Sequence, residues 1–390
     1  MTESIDWSRP TKRKWKFKFE LVPPNKLNDS YGELDNVDIS SVSITEGYYT
    51  DTRIQGKLTY YGENPHRQAY IRIIATDTVS GYSEELGTFI PTSDDVTMEG
   101  SIVKTTLNLE STLYGISQQK LQTAWVNKYG MTIFSNIANI LQNKCNMTLA
   151  ILGGNGSWKD DVDRHGNDYS ASPHDGMLSS SAICDAGSSI LELLYGIANA
   201  TPKNRIDVDG HGRVLVYPYY APSQRDPTFT ITANSENSVV LDGVTRSSNY
   251  LERASQVTVH AKQTVNNVEK VFLSTQTATG EMSLAQRGYI VGKYYDLSDM
   301  SPFTQAEATR RAKAHLATAQ NENIEWTLTT EYMPIYTGDV GYLEGLNDNY
   351  NYGAKKKVFV KSRDIDLATM TQKLTLKLAS SNDTDTGDEE

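Results

Sequence analysis

The chain's nearest approach to a metal-binding pattern is a pair of aspartates in a glycine-rich segment. In the run D-V-D-R-H-G-N-D-Y-S-A-S, Asp161, Asp163 and Gly166 stand where an EF-hand calcium loop has its first, third and sixth positions. His165 occupies the fifth position, and Ser172 stands at the twelfth, where a bidentate glutamate is needed. The pattern favours an acidic surface loop, and we predict no metal site.

The histidines and cysteines offer no catalytic arrangement either. The chain contains six histidines, which are His66, His165, His174, His211, His260 and His315. None lies three or four residues from another, so an H-E-x-x-H site is excluded. Cys145 and Cys184 make neither a C-x-x-C motif nor a disulfide framework, and a G-x-S-x-G motif is absent. We expect packing or surface roles for these residues, with no catalytic, cofactor-binding or metal-ligating residues.

The composition of the chain narrows the possible classes of function further. The chain has 390 residues and a formal net charge of −11, which disfavours a broad nucleic-acid-binding surface. Neither a signal peptide nor a membrane span is recognisable, so we expect no export by the general route and no membrane insertion. Tyrosine outnumbers phenylalanine by 23 to 8, which favours subunit contacts, although tyrosine also suits strands.

Strand patterns dominate residues 1–115, for which we predict a β-barrel. The segment Lys12–Lys18 alternates cations with Trp15 and Phe17. Such interleaving can bind single-stranded nucleic acid, but strict alternation favours a strand with one buried face. Further strands are predicted around Val42, Leu58 and Ile71, without helices between them.

Residues 116–227 change character and predict a small α+β domain. Helical spacing runs from Ile133 to Lys144, and Ser189 with Glu192 forms a capping box before a second amphipathic helix. The D-G-H-G run at Asp209–Gly212 predicts a hairpin turn, and Asp207–Gly210 is likewise turn chemistry. The polar segment 153–181 predicts a surface loop.

Residues 228–380 predict a second β-barrel with a flanking helix. Thr304 and Glu307 form a capping box, and small apolar residues at helical spacing follow. Ile324–Tyr332 then alternates as a half-buried strand, and Gly338 is expected to need a positive φ in the turn after Pro334. The acidic residues 381–390 predict a disordered tail. The predicted fold class is thus mainly β, with two barrels and an α+β middle.

Three segments resemble the baseplate hub proteins of phage tails, the family that includes the late control protein D group. The first runs S-S-I-L-E-L-L-Y-G-I-A-N-A and then I-D-V-D-G-H-G-R-V-L-V-Y-P; the second is R-S-S-N-Y-L-E-R-A-S-Q-V-T-V-H-A-K. The third is A-E-A-T-R-R-A-K-A-H-L followed by E-W-T-L-T-T-E-Y-M-P-I-Y-T-G-D-V-G-Y-L. The resemblance is one of pattern and order, and it covers most of the chain.

This resemblance implies a homotrimer whose subunits each supply two barrels similar to the tail-tube fold. Six barrels in a ring would adapt a sixfold tube to a threefold tip and line a channel for DNA. Its implied partners are tail tube or distal tail proteins above and a spike, tip or tape-measure protein below, without stable nucleic-acid binding. Its implied location is the virion tail tip, after assembly in the host cytoplasm.

We therefore predict a non-enzymatic structural protein that needs no cofactor. The alternative is a tail-associated cell-wall (peptidoglycan) hydrolase whose site is built from scattered carboxylates. The chain stops after its last predicted strands, so we expect no additional hydrolase domain. A carbohydrate-binding module is a third possibility, which the tyrosines would permit.

Overall fold

The computed structural model describes most of the chain, in segments separated by short gaps and one long gap. The described residues are 6–10, 12–24, 26–64, 66–127, 131–145, 177, 183–199, 204–233, 238–248, 253–265, 268–296, 304–320, 324–346 and 355–379. They divide into two compact units, of which the first combines Met1–Val244 with Leu328–Glu390 and the second is Thr245–Thr327. The acidic loop 161–172 and the tail 381–390 lie outside the described residues.

The first unit begins with strands, as the alternating apolar residues predict. They are β1 (Trp15–Val22), β2 (Gly32–Glu33), β3 (Val37–Gly47), β4 (Ile54–Tyr61), β5 (Tyr70–Asp77), β6 (Ser83–Glu99) and β7 (Ile102–Ser111). In β1, Phe19 is buried and Lys16 is exposed, which confirms the strand interpretation of the Lys12–Lys18 segment. Gly81 has a φ of +76° in the turn between β5 and β6.

Short helices and small strands follow in the same unit. They are α1 (Thr112–Ser117), β8 (Trp125–Val126), α2 (Ile133–Lys144), β9 (Ile183–Cys184), α3 (Ile190–Ala198), β10 (Asn204–Val208), β11 (Val214–Pro218) and β12 (Phe229–Thr232). The predicted capping box is present at α3, because the Ser189 hydroxyl accepts from the Glu192 N–H at 3.0 Å and the Glu192 carboxylate accepts from the Ser189 N–H at 2.6 Å. The predicted hairpin is also confirmed, since β10 and β11 pair in antiparallel fashion.

The second unit combines a small sheet with a long helix. Its elements are β13 (Thr245–Ser248), β14 (Gln256–Val265), β15 (Val268–Thr277), α4 (Leu284–Arg287), β16 (Gly292–Asp296), α5 (Gln305–Gln320) and the first half of β17 (Ile324–Glu331). The strands form a sheet in the order β15-β14-β16, and β13 pairs with β17. Ala308, Ala312 and Leu316 of α5 pack on Val257 and Val259 of β14, so the predicted apolar stripe of the helix is confirmed.

One of the two hydrogen bonds of the capping box predicted at α5 is present. The Glu307 N–H donates to the Thr304 hydroxyl at 3.1 Å. The Glu307 carboxylate accepts from Arg310 and Arg311 at 2.6 and 2.7 Å, which holds the pKa of Glu307 down at about 2. The side chain predicted to close the box is thus engaged by cations on the next turn.

The remaining strands return to the first unit and complete its main sheet. They are β18 (Val340–Glu344), β19 (Lys355–Asp366) and β20 (Thr371–Leu378). Within this unit the strand order is β20-β19-β3-β4-β7-β6-β5-β1-β2, and β18 joins β19 to β12. The β19–β3 pairing, with Ser362 opposite Gly47 and Asp366 opposite Ser43, links the N-terminal strands to the C-terminal ones.

The positions of the buried residues follow the periodicity of the strands and helices. In β17, Ile324, Trp326, Leu328 and Thr330 are buried and alternate with partly exposed residues, as predicted. The principal core includes residues of the N-terminal strands and of α2, α3, β10 and β11. The chain is mainly β with a small helical part, which confirms the predicted fold class. The proposed domain boundaries at 115 and 227 stay predictions.

In the described part of the chain, the helices fall short of the length and apolarity needed to cross a bilayer.

Candidate assembly surface

The histidines of the described segments lie apart from one another and pack on rings or carboxylates. His66 stacks on Tyr31 with ring centroids 4.2 Å apart, and His315 stacks on Tyr295 at 4.1 Å. Nδ1 of His260 lies 3.3 Å from the Asp296 carboxylate. His211 contacts the Glu85 carboxylate. His165 and His174 lie outside the described residues.

The two cysteines are free thiols. Cys145, at the C-terminal end of α2, is buried, and this burial raises the pKa of its thiol to about 12. A thiol with that pKa stays protonated near neutral pH and is a poor nucleophile. Cys184 is partly buried and packs against the principal core, in keeping with the packing role predicted for it.

Clusters of metal-binding side chains are not found in the described segments. Groups of three or more histidine, cysteine, aspartate or glutamate residues placed to hold a metal are absent from them. The acidic run at Asp161 and Asp163 lies outside these segments, so its assignment as a plain loop stays a prediction. Asp209 serves the hairpin turn, where its carboxylate accepts from the backbone N–H of Arg213 at 2.7 Å and from Nε of Arg213 at 2.6 Å.

A buried ion pair lies at the junction between β3 and β19. Glu46 and Arg363 are directly opposite in the strand register, and both side chains are fully buried. Their Nη2···Oε1 distance is 2.5 Å, and Nη1 of Arg363 donates to the Ile335 carbonyl at 2.6 Å. A buried charge is costly without a partner, so this pair ties the two β sections to one register.

A second buried carboxylate is surrounded by tyrosine hydroxyls. Glu84 at the start of β6 accepts from Tyr82 at 2.8 Å and from Tyr332 at 2.5 Å, and its other oxygen accepts from Tyr336. Tyr332 and Tyr336 follow β17, so these contacts also connect the two ends of the first unit. The sequence indicated this cluster only through its excess of tyrosine. Three of those tyrosines contact Glu84 within the chain itself.

Tyr48 connects the β10–β11 hairpin with the turn at Gly338. The Arg205 guanidinium lies 3.9 Å from the Tyr48 ring centroid, and its Nη2 donates to the Tyr48 carbonyl at 3.3 Å. Arg225 donates to the Gly338 carbonyl at 2.9 Å and to the Tyr48 hydroxyl at 3.2 Å. The predicted positive φ of Gly338 is confirmed at +92°.

Several exposed side chains lie on strand edges and sheet faces, where another chain could contact them. β6 continues past the end of β5, and all residues from Thr92 to Glu99 are exposed. In the second unit, Leu273 and Tyr294 are 53% and 61% exposed on the sheet face opposite α5. Exposed strands of this kind can pair with another chain, so they form the candidate assembly surface.

Comparison with known proteins adds information on the fold. No family model matches the chain, and none of the curated proteins matches it. Among solved structures, a tail protein from Neisseria meningitidis aligns with a TM-score of 0.61 at 12% identity, over 93% of this chain and 96% of its own. The 43 kDa tail protein of a Shewanella oneidensis prophage aligns with a TM-score of 0.59 at 11% identity, over 94% of this chain and 99% of its own.

The chain shares its fold with phage tail proteins. A chain of the PdpA–VgrG complex from Francisella also aligns, with a TM-score of 0.53 at 13% identity. That alignment covers 96% of this chain and 59% of the longer Francisella chain. The first two alignments each cover more than nine-tenths of this chain, so they include residues of both units.

Proposed function

We propose that this chain is a structural component of a phage tail tip, a baseplate hub that assembles as a homotrimer. The observation that carries the proposal is the fold similarity to phage tail proteins over 93% and 94% of the chain. The hub would join the tail tube or distal tail proteins above to a spike, tip or tape-measure protein below. Its place is the virion, after assembly in the host cytoplasm.

The strand arrangement supports the threefold part of the proposal. A closed ring of identical subunits repeats one contact, and two β sections per chain double the apparent symmetry. In this chain the two sections are already joined edge to edge by the β3–β19 pairing. Three such subunits would present six β sections around one axis, which suits the connection of a sixfold tube to a threefold tip.

Charge and chemistry fit the same role. A net charge of −11 disfavours adhesion of DNA to the inner wall of a channel. In the described segments, the buried carboxylates of Glu46 and Glu84 bind side chains from distant parts of the chain and so tie its β sections together. We therefore propose a non-enzymatic role, without a cofactor or a resident metal.

Two measurements test this function. Light scattering of the purified protein should give three times the 43.4 kDa chain mass, and quantitative mass spectrometry of particles should find the chain at a few copies each. A monomer in solution that is also absent from particles would refute the proposal. Zymography on peptidoglycan tests the hydrolase alternative, and clearing by the purified chain would favour that alternative.

A further inference from the structure

Four lysines lie together where β19 begins and β20 ends, in a chain whose net charge is −11. The Ala379 N–H donates to the Lys357 carbonyl at 3.1 Å, so Ala379 lies beside Lys357. Lys355 and Lys356 precede Lys357 on β19, and Lys377 lies two residues before Ala379. The backbone positions of these four residues, here called the lysine cluster, therefore lie within about 10 Å of Ala379.

The described contacts of the cluster include one carboxylate and several neutral groups. Lys355 forms an ion pair with Glu344 at 2.8 Å, and its side chain is half exposed. Nζ of Lys357 donates to two backbone carbonyls, at 2.8 and 2.6 Å. Nζ of Lys377 lies 5.6 Å from the ring centroid of Tyr49. Four ammonium groups at such short range repel one another, so a further anion beside them stabilises the group.

Protection of a strand edge does not explain this cluster. Lysines on an open edge strand discourage pairing with another chain. In the described sheet, β19 lies between β18 and β20, and β20 lies between β19 and β17. The lysines thus lie on strands that have a neighbour on each side, and their accumulation points to a ligand of opposite charge.

The chain itself carries such a ligand directly after Ala379. Residues 383–390, here called the acidic run, contain no basic residue and have five carboxylates, which belong to Asp383, Asp385, Asp388, Glu389 and Glu390. At about 3.5 Å per residue, an extended chain reaches about 14 Å from Ala379 to Asp383 and about 38 Å from Ala379 to Glu390. Because the lysine cluster lies within about 10 Å of the same starting point, every carboxylate of the acidic run can reach it.

We propose that the acidic run binds the lysine cluster of its own chain and keeps other polyanions away from it. A short flexible tether gives an effective concentration in the millimolar range, so several individually weak ion pairs act together. Charge complementarity and the tether select this segment over a separate polyanion such as nucleic acid, which would have to displace it. The contact goes beyond the proposed function, because it holds in a single subunit and does not depend on a trimer.

Removal of the acidic run tests the contact through the competing ligand. A chain ending at Ala379 should bind a fluorescein-labelled single-stranded DNA of about 20 nucleotides at least about tenfold more tightly than the parent at low salt. The gain should disappear at high salt, because exposed charges are then screened. A full-length variant in which all five carboxylates are changed to amides should show the same gain, since it keeps the length and loses the charge.

Two controls separate the contact from a change of net charge. Adding Lys356→Gln with Lys377→Gln to the shortened chain should cancel the gain in DNA binding, because the exposed site is removed. The matched control changes five exposed carboxylates elsewhere to amides and should leave DNA binding at the level of the parent; these carboxylates belong to Asp29, Asp35, Glu63, Asp242 and Glu281.

Zero-length cross-linking locates the contact directly. A carbodiimide joins a carboxylate to an amine that touches it, and the Lys355–Glu344 pair serves as the internal positive control. In the product that migrates as a single chain, peptide mass spectrometry should find links from the acidic run to Lys356 or Lys377, and none to Lys293, an exposed lysine of the second unit. Absence of these links, their restriction to products of two chains, or an unchanged DNA affinity of the shortened chain would overturn the proposal and leave the hub proposal intact.

Discussion

An added Cβ atom on Gly338 would lie 2.7 Å from Cε2 of the Tyr48 ring. The glycine also has a φ of +92°, a region that side-chain-bearing residues rarely adopt. Tyr48 is fully buried beneath this turn and in turn contacts Arg205. Backbone conformation and packing thus both require the absence of a side chain at position 338.

Gly338→Val should lower the free energy of unfolding by roughly 2–4 kcal/mol, because strain and overpacking act together. Urea denaturation followed by circular dichroism measures the change. Gly243→Val is the matched control, since an added Cβ atom there meets nothing within 4 Å. Equal urea midpoints for the two variants would show that the predicted clash with Tyr48 does not lower the stability.

Removal of one member of the Glu46–Arg363 pair should lower the free energy of unfolding strongly. Glu46→Gln should cost about 3–5 kcal/mol of unfolding free energy, since it leaves the buried guanidinium without its counter-charge. Adding Arg363→Met to that variant should recover part of the loss. Glu269→Gln, in the exposed pair with Lys262 at 3.7 Å, should change stability by less than about 1 kcal/mol. A Glu46→Gln variant as stable as the parent would contradict the burial of this pair.

Stability should fall at alkaline pH through the tyrosines around Glu84. Burial, and next the Glu84 carboxylate, raise the pKa of Tyr332 well above its usual value. Burial likewise raises the pKa of Tyr82. Above about pH 10 the unfolded chain loses these protons while the folded chain retains them. The stabilisation is therefore complete below that pH and is lost as the pH rises.

Urea midpoints measured from pH 8 to pH 11 test this prediction. Tyr332→Phe should be less stable at pH 8 by about 1–3 kcal/mol, because Glu84 loses a donor, and its decline above pH 10 should be shallower. Tyr294→Phe, at a position that is 61% exposed, should follow the parent. Parallel curves for the parent and Tyr332→Phe would exclude a role for this hydroxyl in the alkaline transition.

The two thiols should differ in reactivity. With its pKa raised to about 12 by burial, Cys145 should not react with a maleimide at pH 7.5 in the native protein. Peptide mass spectrometry should find any native labelling at Cys184, while both thiols react in denaturant. Rapid native labelling of Cys145 would mean that the packing around α2 opens readily.

Local chemistry accounts for the elements that the sequence predicted well. The Ser189–Glu192 capping box needs only residues three apart, and the alternation from Ile324 to Thr330 is a property of one strand. The turn at Gly338 needs one residue with a positive φ. In each case the interacting groups are close in sequence, so the pattern of residue types is sufficient.

Helix α5 shows what such patterns do not predict. Its small-residue stripe predicts a helix laid over a sheet, and that is observed. The strands it packs on are β14 and β15, which lie upstream, and the stripe itself does not specify which strands it meets. Glu307 shows a second, local limit, since the predicted cap residue pairs with Arg310 and Arg311 on the next turn instead.

Strands β1 and β6 combine both kinds of information. The alternation K-W-K-F predicts a strand with one charged face, and the structure confirms it. The acidic character of Asp95 and Glu99 was visible in the sequence but carried no prediction. Only the pairing of β5 with β6, which ends at Phe89, shows that Asp95 and Glu99 lie on an open strand edge within the described part of the chain.

The sequence by itself determined the fold class, the capping box of α3, the hairpin at Asp209 and the absence of recognisable catalytic motifs. Only the tertiary structure decided that β3 pairs with β19, and that Glu84 binds the hydroxyl of Tyr332, 248 positions away. The physical reason is that residue periodicity reports which face of an element is buried. It does not report which distant element covers that face, because that choice depends on the packing and hydrogen bonding of the whole chain.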